Sequence, residues 1–364
     1  MPCAIERIDV QPRGEESTEA AARRLRYERL AAHLQPGDVL VTAHHENDQA
    51  ETVLLALLRG TGAHGLAAMP AVTDFGPGLH ARPLLGFSRA ALATYAQDER
   101  LVWVEDKSNQ DREMSRNFLR AEILPRLTAR WPAASRTLAR AAANSADTAQ
   151  LLDEIAAADM ALCAPSKNLS AAALRGFSAS RRRNIVRYWI RRQGFYPPSA
   201  QHLDQILALV ESVPESGGAC VDWPDAEVHY YRDELVVRPR TRAPDPRLSF
   251  TWELTQAIDI APIGWRLRTL PAVGEGLSQM RVAQHRVTVR VRQGGEICRL
   301  AGHAHRHKLK KLLQEAGVPP WERDRLPLIY ADDELAAIGD RWVCEPFAAR
   351  AGEPGWRIVL EAIA

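Results

Sequence analysis

The apolar run Val39-Leu40-Val41 leads straight into Ala43-His44-His45-Glu46-Asn47-Asp48-Gln49-Ala50-Glu51-Thr52, and Leu54, Leu55, Leu57 and Leu58 follow at once. A short buried strand therefore ends here and a helix begins, with two imidazoles and two carboxylates on the turn between them. In an open α/β sheet, that edge is where ligands bind. A helix N-terminus adds partial positive charge and unpaired N–H groups. Asp48 and Glu51 are three residues apart and can share one side of the helix. Their oxygens suit either a hard cation such as Mg²⁺ or an amine that must give up a proton. His44 and His45 alternate, which sends one toward the crevice and one toward the core. The alternative is a plain capped helix, in which Asn47 or Asp48 caps and Glu51 completes a capping box. A zinc site here is disfavoured, because His-x-x-x-Asp lacks a third ligand.

Strands and helices alternate around this corner. Ala4–Val10 has the pattern of a strand. Glu16–Leu34 reads as a helix that Ser17 can cap, and Pro36-Gly37-Asp38 turns into the strand Val39–Thr42. The next helix, Asp48–Arg59, stops at Gly60 and Gly62. A loop rich in Gly and Pro follows Met69-Pro70, Arg82–Leu85 is extended, and Ser88 caps a helix over Arg89–Glu99. Val102-Trp103-Val104 closes the series as a short strand. This alternation predicts a parallel sheet covered by helices. After residue 115 the character changes. Arg116–Asp159 is nearly all helical with a break at Trp131-Pro132, and Ser178–Gln193 and Ser199–Val213 add two helices. Strand-like alternation begins at Val228–Tyr231 and Leu235–Arg238, and Pro239–Pro246 reads as a linker. Strands follow around Phe250–Leu254, Trp265–Leu270 and Val287–Arg292, then a helix at Lys308–Ala316.

A second candidate site joins Glu105-Asp106-Lys107-Ser108-Asn109, at a strand end, to Arg116-Asn117-Phe118-Leu119-Arg120, at a helix start. Arg116 and Arg120 are four residues apart on one helix face, with Asn117 beside them. Two guanidinium forks at that spacing can grip a phosphate or pyrophosphate. The alternative is an exposed helix face paired with Asp111 and Glu113.

Composition narrows the class of protein. The formal net charge of +2 is uninformative, but the basic residues are clustered. Arg181, Arg182 and Arg183, with Arg187, Arg191 and Arg192, share one predicted helix and could track nucleic-acid phosphates, or be a solvated face. Lys308, Lys310 and Lys311 follow His303, His305 and His307, where no carboxylate or cysteine lies close enough in sequence to favour a metal. No apolar run approaches the roughly 20 residues of a membrane span, and the first residues lack the apolar core of a signal peptide. The five cysteines are scattered and never paired as CxxC, which fits a reducing cytoplasm and argues against a zinc or iron–sulfur site.

Together the two sites resemble the tRNA(Ile)-lysidine synthetase family of N-type ATP-pyrophosphatases. The family's His-His-x-Asp-Asp-x-x-Glu-Thr stands here as His44–Thr52, and its Arg-Asn-x-x-Arg as Arg116–Arg120. Leu58–Gly62, Gly65–Met69, Arg82–Leu85, Glu105–Asn109, Leu309–Glu315 and Pro319–Arg323 are similar in the same order, so the resemblance covers essentially the whole chain. It departs in two places. The ATP loop Ser-Gly-Gly-x-Asp-Ser is absent, as though the chain began at the third strand, with a half-sheet missing ahead of Met1. Ser216-Gly217-Gly218 reads as a turn rather than a substitute. Asn47 replaces the first aspartate of the Asp-Asp pair and removes one negative charge.

The resemblance implies an α/β fold in three parts: a partial parallel-sheet, Rossmann-like domain over 1–135, a helical middle domain over 136–245 and a small β-rich α+β domain over 246–364. It implies ATP and Mg²⁺ as cofactors, L-lysine and tRNA(Ile) with a CAU anticodon as partners, and a cytoplasmic location, with a homodimer left open. The implied reaction adenylates C2 of cytidine 34, and lysine then displaces AMP. Asp48 would hold the lysine amine or Mg²⁺, with Glu51 as its support. Arg116 and Arg120 would face phosphate or the adenylated base, Asn117 would hydrogen-bond the base or orient an arginine, and His44 is a further member. Arg181–Arg183, Lys308, Lys310 and Lys311 would meet tRNA. Without the ATP loop the chain is expected to be inactive. The rivals are a non-catalytic tRNA-binding remnant and another ATP-pyrophosphatase such as a tRNA thiolase, which would want paired cysteines.

Overall fold

The computed structural model describes every residue except 1, 2, 4, 13–16, 105–111, 165, 213–218, 304 and 364. Its contacts divide the chain into two compact units, 1–155 and 156–364.

In the first unit, helix α1 (Thr18–Ala32) starts where Ser17 accepts a hydrogen bond from the Ala20 N–H. Strand β1 (Val39–Val41) follows, then α2 (Glu46–Leu58), α3 (Ala63–Leu66), and the strands β2 (Val72–Phe75) and β3 (Gly78–Ala81). The three strands form one sheet in the order β1-β3-β2. β1 runs parallel to β3, but β2 and β3 form an antiparallel hairpin. The expected parallel sheet is therefore a mixed one. Its hairpin turns through Gly76-Pro77, where Gly76 takes φ +55°. A glycine at the first central position is what such a two-residue turn needs. Gly78 is required for a different reason, since a Cβ there would sit 2.3 Å from the Asp38 carbonyl oxygen.

Three expected extended segments are absent. Residues 5–12 form no strand, and 102–104 form none either. Val102 and Val104 stand fully in solvent, with no neighbouring strand to bury them. Residues 83–86 are a turn, not an extended stretch. Ser88 does cap α4 (Arg89–Asp98), accepting from the Ala91 N–H.

Helix α5 (Ser115–Phe118) passes into one wide π-helical turn, Leu119–Ile123, and then into α6 (Leu124–Arg130). The cause is Pro125, which lacks an N–H and crowds the carbonyl four residues back. The Leu124 N–H bonds to the Leu119 carbonyl, five residues earlier. Helix α7 (Ala134–Cys163) begins after Trp131-Pro132 and crosses the division between the units.

The second unit starts with β4 (Leu169–Ser170), α8 (Ala171–Arg175), α9 (Ala179–Arg192), α10 (Ala200–Ser212), β5 (Cys220–Asp222), β6 (Ala226–Tyr231) and β7 (Glu234–Pro239). The strands pair in the order β4-β7-β6-β5, so the middle region carries a four-stranded sheet beside its helices. Ile185, Val186, Trp189 and Ile190 make the apolar stripe of α9 and pack with Ile206, Leu235 and Val228. The Trp189 indole N–H donates to the Lys167 carbonyl at 2.9 Å.

The remainder is mostly strand: β8 (Ser249–Thr251), β9 (Ile258–Ile260), β10 (Trp265–Val273), β11 (Leu277–Ser278), α11 (Gln279–Val282), β12 (Val287–Arg290), β13 (Ile297–Cys298), β14 (His307–Lys308), α12 (Leu309–Glu315), α13 (Pro320–Arg323), β15 (Leu328–Ala331), β16 (Glu334–Ile338), β17 (Trp342–Val343) and β18 (Pro354–Ala362). Two sheets, β11-β18-β10-β9 and β17-β16-β15-β12-β8, enclose a core around Leu267, Val289 and Ile329. Leu309 and Leu313 of α12 pack on a neighbouring cluster with Leu328 and Ile338. The architecture is α/β. No described helix is long and apolar enough to cross a membrane.

Candidate functional site at the strand-to-helix corner

The corner after β1 is built by the backbone first. His45, not Asn47 or Asp48, is the N-cap of α2. Its Nδ1 accepts from the Asp48 N–H at 3.4 Å, and Asp48 Oδ2 accepts from the His45 N–H at 3.0 Å. Asp48 therefore closes the capping box, and Glu51 is left for another task. Glu51 is 0% exposed.

That task is to hold the arginines. Arg120 leaves the wide turn and grips Glu51 with two bonds, Nε to Oε1 at 2.7 Å and an Nη2 to Oε2 bond at 3.0 Å. The same Nη2 donates to Asp48 Oδ1 at 3.0 Å. Arg116 lies 3.5 Å from Glu51 through Nε and donates to Thr52 Oγ1 at 2.9 Å. The bonds to Glu51, together with the charges of Glu51 and Asp48, hold the Arg120 guanidinium above its ordinary pKa against the opposing effect of burial. The structure thus brings Asp48, Glu51, Arg116 and Arg120 together. The arginines are braced by α2. Asn117 is buried beside them, its Nδ2 3.6 Å from the Met114 sulfur.

Mg²⁺ would enter this donor set only by displacing N–H groups from the carboxylates. A hard cation needs carboxylate oxygens open to it. Both oxygens of Glu51 and both of Asp48 already accept N–H groups. The loop between β1 and α2 is Thr42-Ala43-His44-His45, without a glycine. Ser216-Gly217-Gly218 and Glu105–Asn109 lie outside the described residues.

His44 belongs to a second polar group that the sequence did not announce. Thr42 Oγ1 lies 2.8 Å from His44 Nδ1 and 2.8 Å from His80 Nε2. Arg82 sits 3.1 Å from His80 Nδ1 and donates to the Pro70 carbonyl at 2.7 Å. Burial pushes the His44 imidazole below its ordinary pKa; Arg82 and Arg116 push the same way, and Asp48 opposes them. His80 is lowered by burial and then by Arg82. Both rings are thus held neutral near pH 7. Gln49 adds a clamp, bonding the Met69 carbonyl at 2.8 Å and the Met69 N–H at 3.0 Å. The available signal was polar residues at inward positions: His80 alternates with Leu79 and Ala81 on β3, yet it is buried.

Asn47 points away from the carboxylates. Its Oδ1 accepts from the Arg89 N–H at 2.9 Å, and its Nδ2 donates to Ser135 Oγ at 3.4 Å.

The proposed tRNA-facing residues divide into two sets. Arg181 is paired with Asp159, Arg182 with Glu211 at 3.1 Å and Arg183 with Asp204 at 3.1 Å. These three are tied to their own domain. Lys308 and Lys310 are exposed and make no ion pair among the described residues, while Lys311 lies 3.7 Å from Glu315.

Three regions of the chain match known protein families. Residues 1–127 match the model of a PP-loop domain, 169–236 that of the TilS substrate binding domain and 287–360 that of the TilS substrate C-terminal domain. The tRNA(Ile)-lysidine synthase of Alkalilimnicola ehrlichii is 39% identical over 362 residues, which is 99% of this chain and 80% of that protein. The protein of the same name from Methylococcus capsulatus is 39% identical over 94% of this chain and 79% of its own length. That from Coxiella burnetii is 37% identical over 99% of this chain and 80% of its own. At this identity and coverage, across all three regions, the chain belongs to the tRNA(Ile)-lysidine synthase family of PP-loop ligases.

Proposed function

We propose that this chain serves the joining of L-lysine to C2 of cytidine 34 in tRNA(Ile) with a CAU anticodon, in the cytoplasm. The C2 oxygen would attack the α-phosphorus of ATP, the α–β phosphoanhydride bond would break with loss of pyrophosphate, and the adenylated oxygen would become a leaving group. The amine nitrogen would then attack C2, and the C2–O bond would break with loss of AMP. The observation that carries this reading is the convergence of Arg116 and Arg120 on Asp48 and Glu51 at the end of β1.

Each side chain has a task that follows from its surroundings. Glu51 is wholly buried, so it acts as a positioning residue that aims both guanidiniums. Arg116 and Arg120 carry positive charge to the corner, where it would steady the negative charge of the phosphate and of the leaving AMP. The incoming lysine amine has an ordinary pKa of about 10.4 and must lose a proton before attack. Asp48 is the carboxylate at the corner that can receive the ammonium, by exchanging its bond to Arg120. His44, held neutral, can accept a hydrogen bond from the same amine. The division into 1–135, 136–245 and 246–364 then assigns chemistry to the first part and tRNA contact to the other two, with Lys308 and Lys310 as the available cations.

A second reading has its own support. The sequence holds no Ser-Gly-Gly-x-Asp-Ser, and backbone N–H groups cradling phosphate have no side-chain substitute. These 364 residues alone would then bind tRNA without activating it. The two readings separate once a glycine-rich ATP loop is supplied, in an assay of lysidine formation with ATP, tRNA(Ile) and lysine. When the chain is fused behind a glycine-rich ATP loop, we expect lysidine formation, and Asp48→Ala should lower it by roughly a hundredfold. Undiminished lysidine formation by that variant would reject the assignment of Asp48.

A further inference from the structure

The spacing of the cysteines speaks against a metal, but folding places one of them in a group of potential ligands. Cys220 lies on β5, and Glu227 and His229 lie on β6. In the antiparallel register Cys220 is directly opposite His229. Cross-strand partners share a face of the sheet, and so do residues two apart on one strand. All three side chains therefore meet on one face. The Cys220 sulfur is 3.6 Å from His229 Nε2, which is 3.1 Å from Glu227 Oε1. One ligand atom from each residue lies within 4.8 Å of the other two, and this is the only such group of three among the described residues.

We propose that Cys220, Glu227 and His229 form a binding site for a zinc-class divalent cation, with one coordination position left for solvent or a fourth ligand. The donor chemistry selects the ion. A sulfur, an imidazole nitrogen and one carboxylate oxygen suit Zn²⁺ or Co²⁺ and not Mg²⁺ or Ca²⁺. Bond lengths of about 2.0–2.3 Å around a tetrahedral centre put neighbouring ligand atoms roughly 3.3–3.8 Å apart, so the observed separations need little adjustment.

His229 is more than nine-tenths buried, so its Nε2 is held in place facing Cys220 and Glu227. Arg238 at 3.3 Å and Thr241 at 3.5 Å share the Glu227 Oε1 that faces His229, so the ion would take the other carboxylate oxygen or displace these contacts. Cys220 is exposed, which gives the ion a path in. The sulfur itself is partly enclosed against His229, and that enclosure, with the charges of Glu227 and Asp222, pushes the thiol up to about 11, so binding must release its proton to solvent. Because β5 is the last strand of its sheet and β6 its neighbour, a bound ion would fasten that edge.

The test is Co²⁺ titration of the full chain, read by absorption. The expected result is one equivalent bound, with a thiolate-to-cobalt charge-transfer band and tetrahedral visible bands that Zn²⁺ displaces. Cys220→Ser, which is nearly isosteric, should abolish the charge-transfer band and weaken affinity at least about tenfold, while Cys3→Ser should leave both unchanged. His229→Gln should weaken binding as well. A band that survives in Cys220→Ser would overturn the proposal. So would binding without any charge-transfer band, which would put the ion on His303, His305 and His307.

Discussion

The corner around α2 and the core around α9 hold themselves together in opposite ways. In the first unit the buried side chains that matter are polar: Asp48, Gln49, Glu51, His80, Arg82 and Asn117. Its apolar strand residues are exposed instead, Val39 at 49% and Val41 at 60%. In the second unit the order is reversed. Trp189, Ile185, Ile206 and Leu235 are wholly or almost wholly enclosed. Every described Leu, Ile or Trp that is less than 2% exposed lies at Leu169 or beyond it. The lesson is that the second unit rests on apolar burial, whereas the first spends its interior on a polar constellation. Such a region is sensitive to single charges, because an unpaired buried ion costs more than a lost methyl group.

Three experiments would break or sharpen this contrast. The largest effect should come from Trp189→Ala, which removes the biggest enclosed side chain and its bond to Lys167. A loss of about 3–5 kcal/mol is expected, seen as faster hydrogen exchange throughout 169–239 with 18–98 unchanged. Equal loosening of both segments would refute the separation. Next, Glu51→Gln leaves two guanidiniums without their shared anion. Because both arginines reach water, the expected cost is about 2–3 kcal/mol, below that of a fully buried pair. It should appear as faster exchange in 46–58 and 115–130; unchanged exchange there would mean the network is ornamental.

The smallest effect concerns pH. His44 and His80 have folded pKa values below the unfolded value of about 6.5. The unfolded chain then binds their protons more readily. Their contribution to stability is full above that value and is lost as the pH falls through it. The denaturant midpoint of the first unit, followed by pulse proteolysis, should therefore drop between about pH 7.5 and 5.5, and His80→Gln should flatten the slope. A midpoint indifferent to pH in the parent chain would contradict neutral buried rings.

The sequence was legible where local signals were strong enough alone, even though the strand expected to be buried has Val39 and Val41 exposed. Val39–Val41 followed by the leucines of α2 could be little else but strand then helix, and Ser17, Ser88 and Ser178 mark helix starts because a serine oxygen fits the N-cap. The residues of the corner were legible as well, though their partnerships were not. An imidazole is an uncommon cap, so the role of His45 could not be read from spacing. The bidentate grip of Arg120 on Glu51 depends on a contact between residues 69 apart in sequence. The strands expected at Ala4–Val10 and Val102–Val104 failed for a related reason. Alternating side chains license a strand, but only a neighbour's hydrogen bonds make one. The β2–β3 hairpin escaped because its Gly and Pro read as a loop, although Gly76-Pro77 is the turn itself. The Cys220 group was invisible to CxxC arithmetic because its ligands meet across strands.

Asn47 has one further consequence. An amide is the one side chain of its size that can give and receive a hydrogen bond at once. Here it does both, joining the start of α2 to the start of α4 and to the first turn of α7. A carboxylate in its place would have to surrender the donating half. Position 47 is a joint between three helices, and Asn47→Asp would trade a mechanical coupling for an electrostatic one.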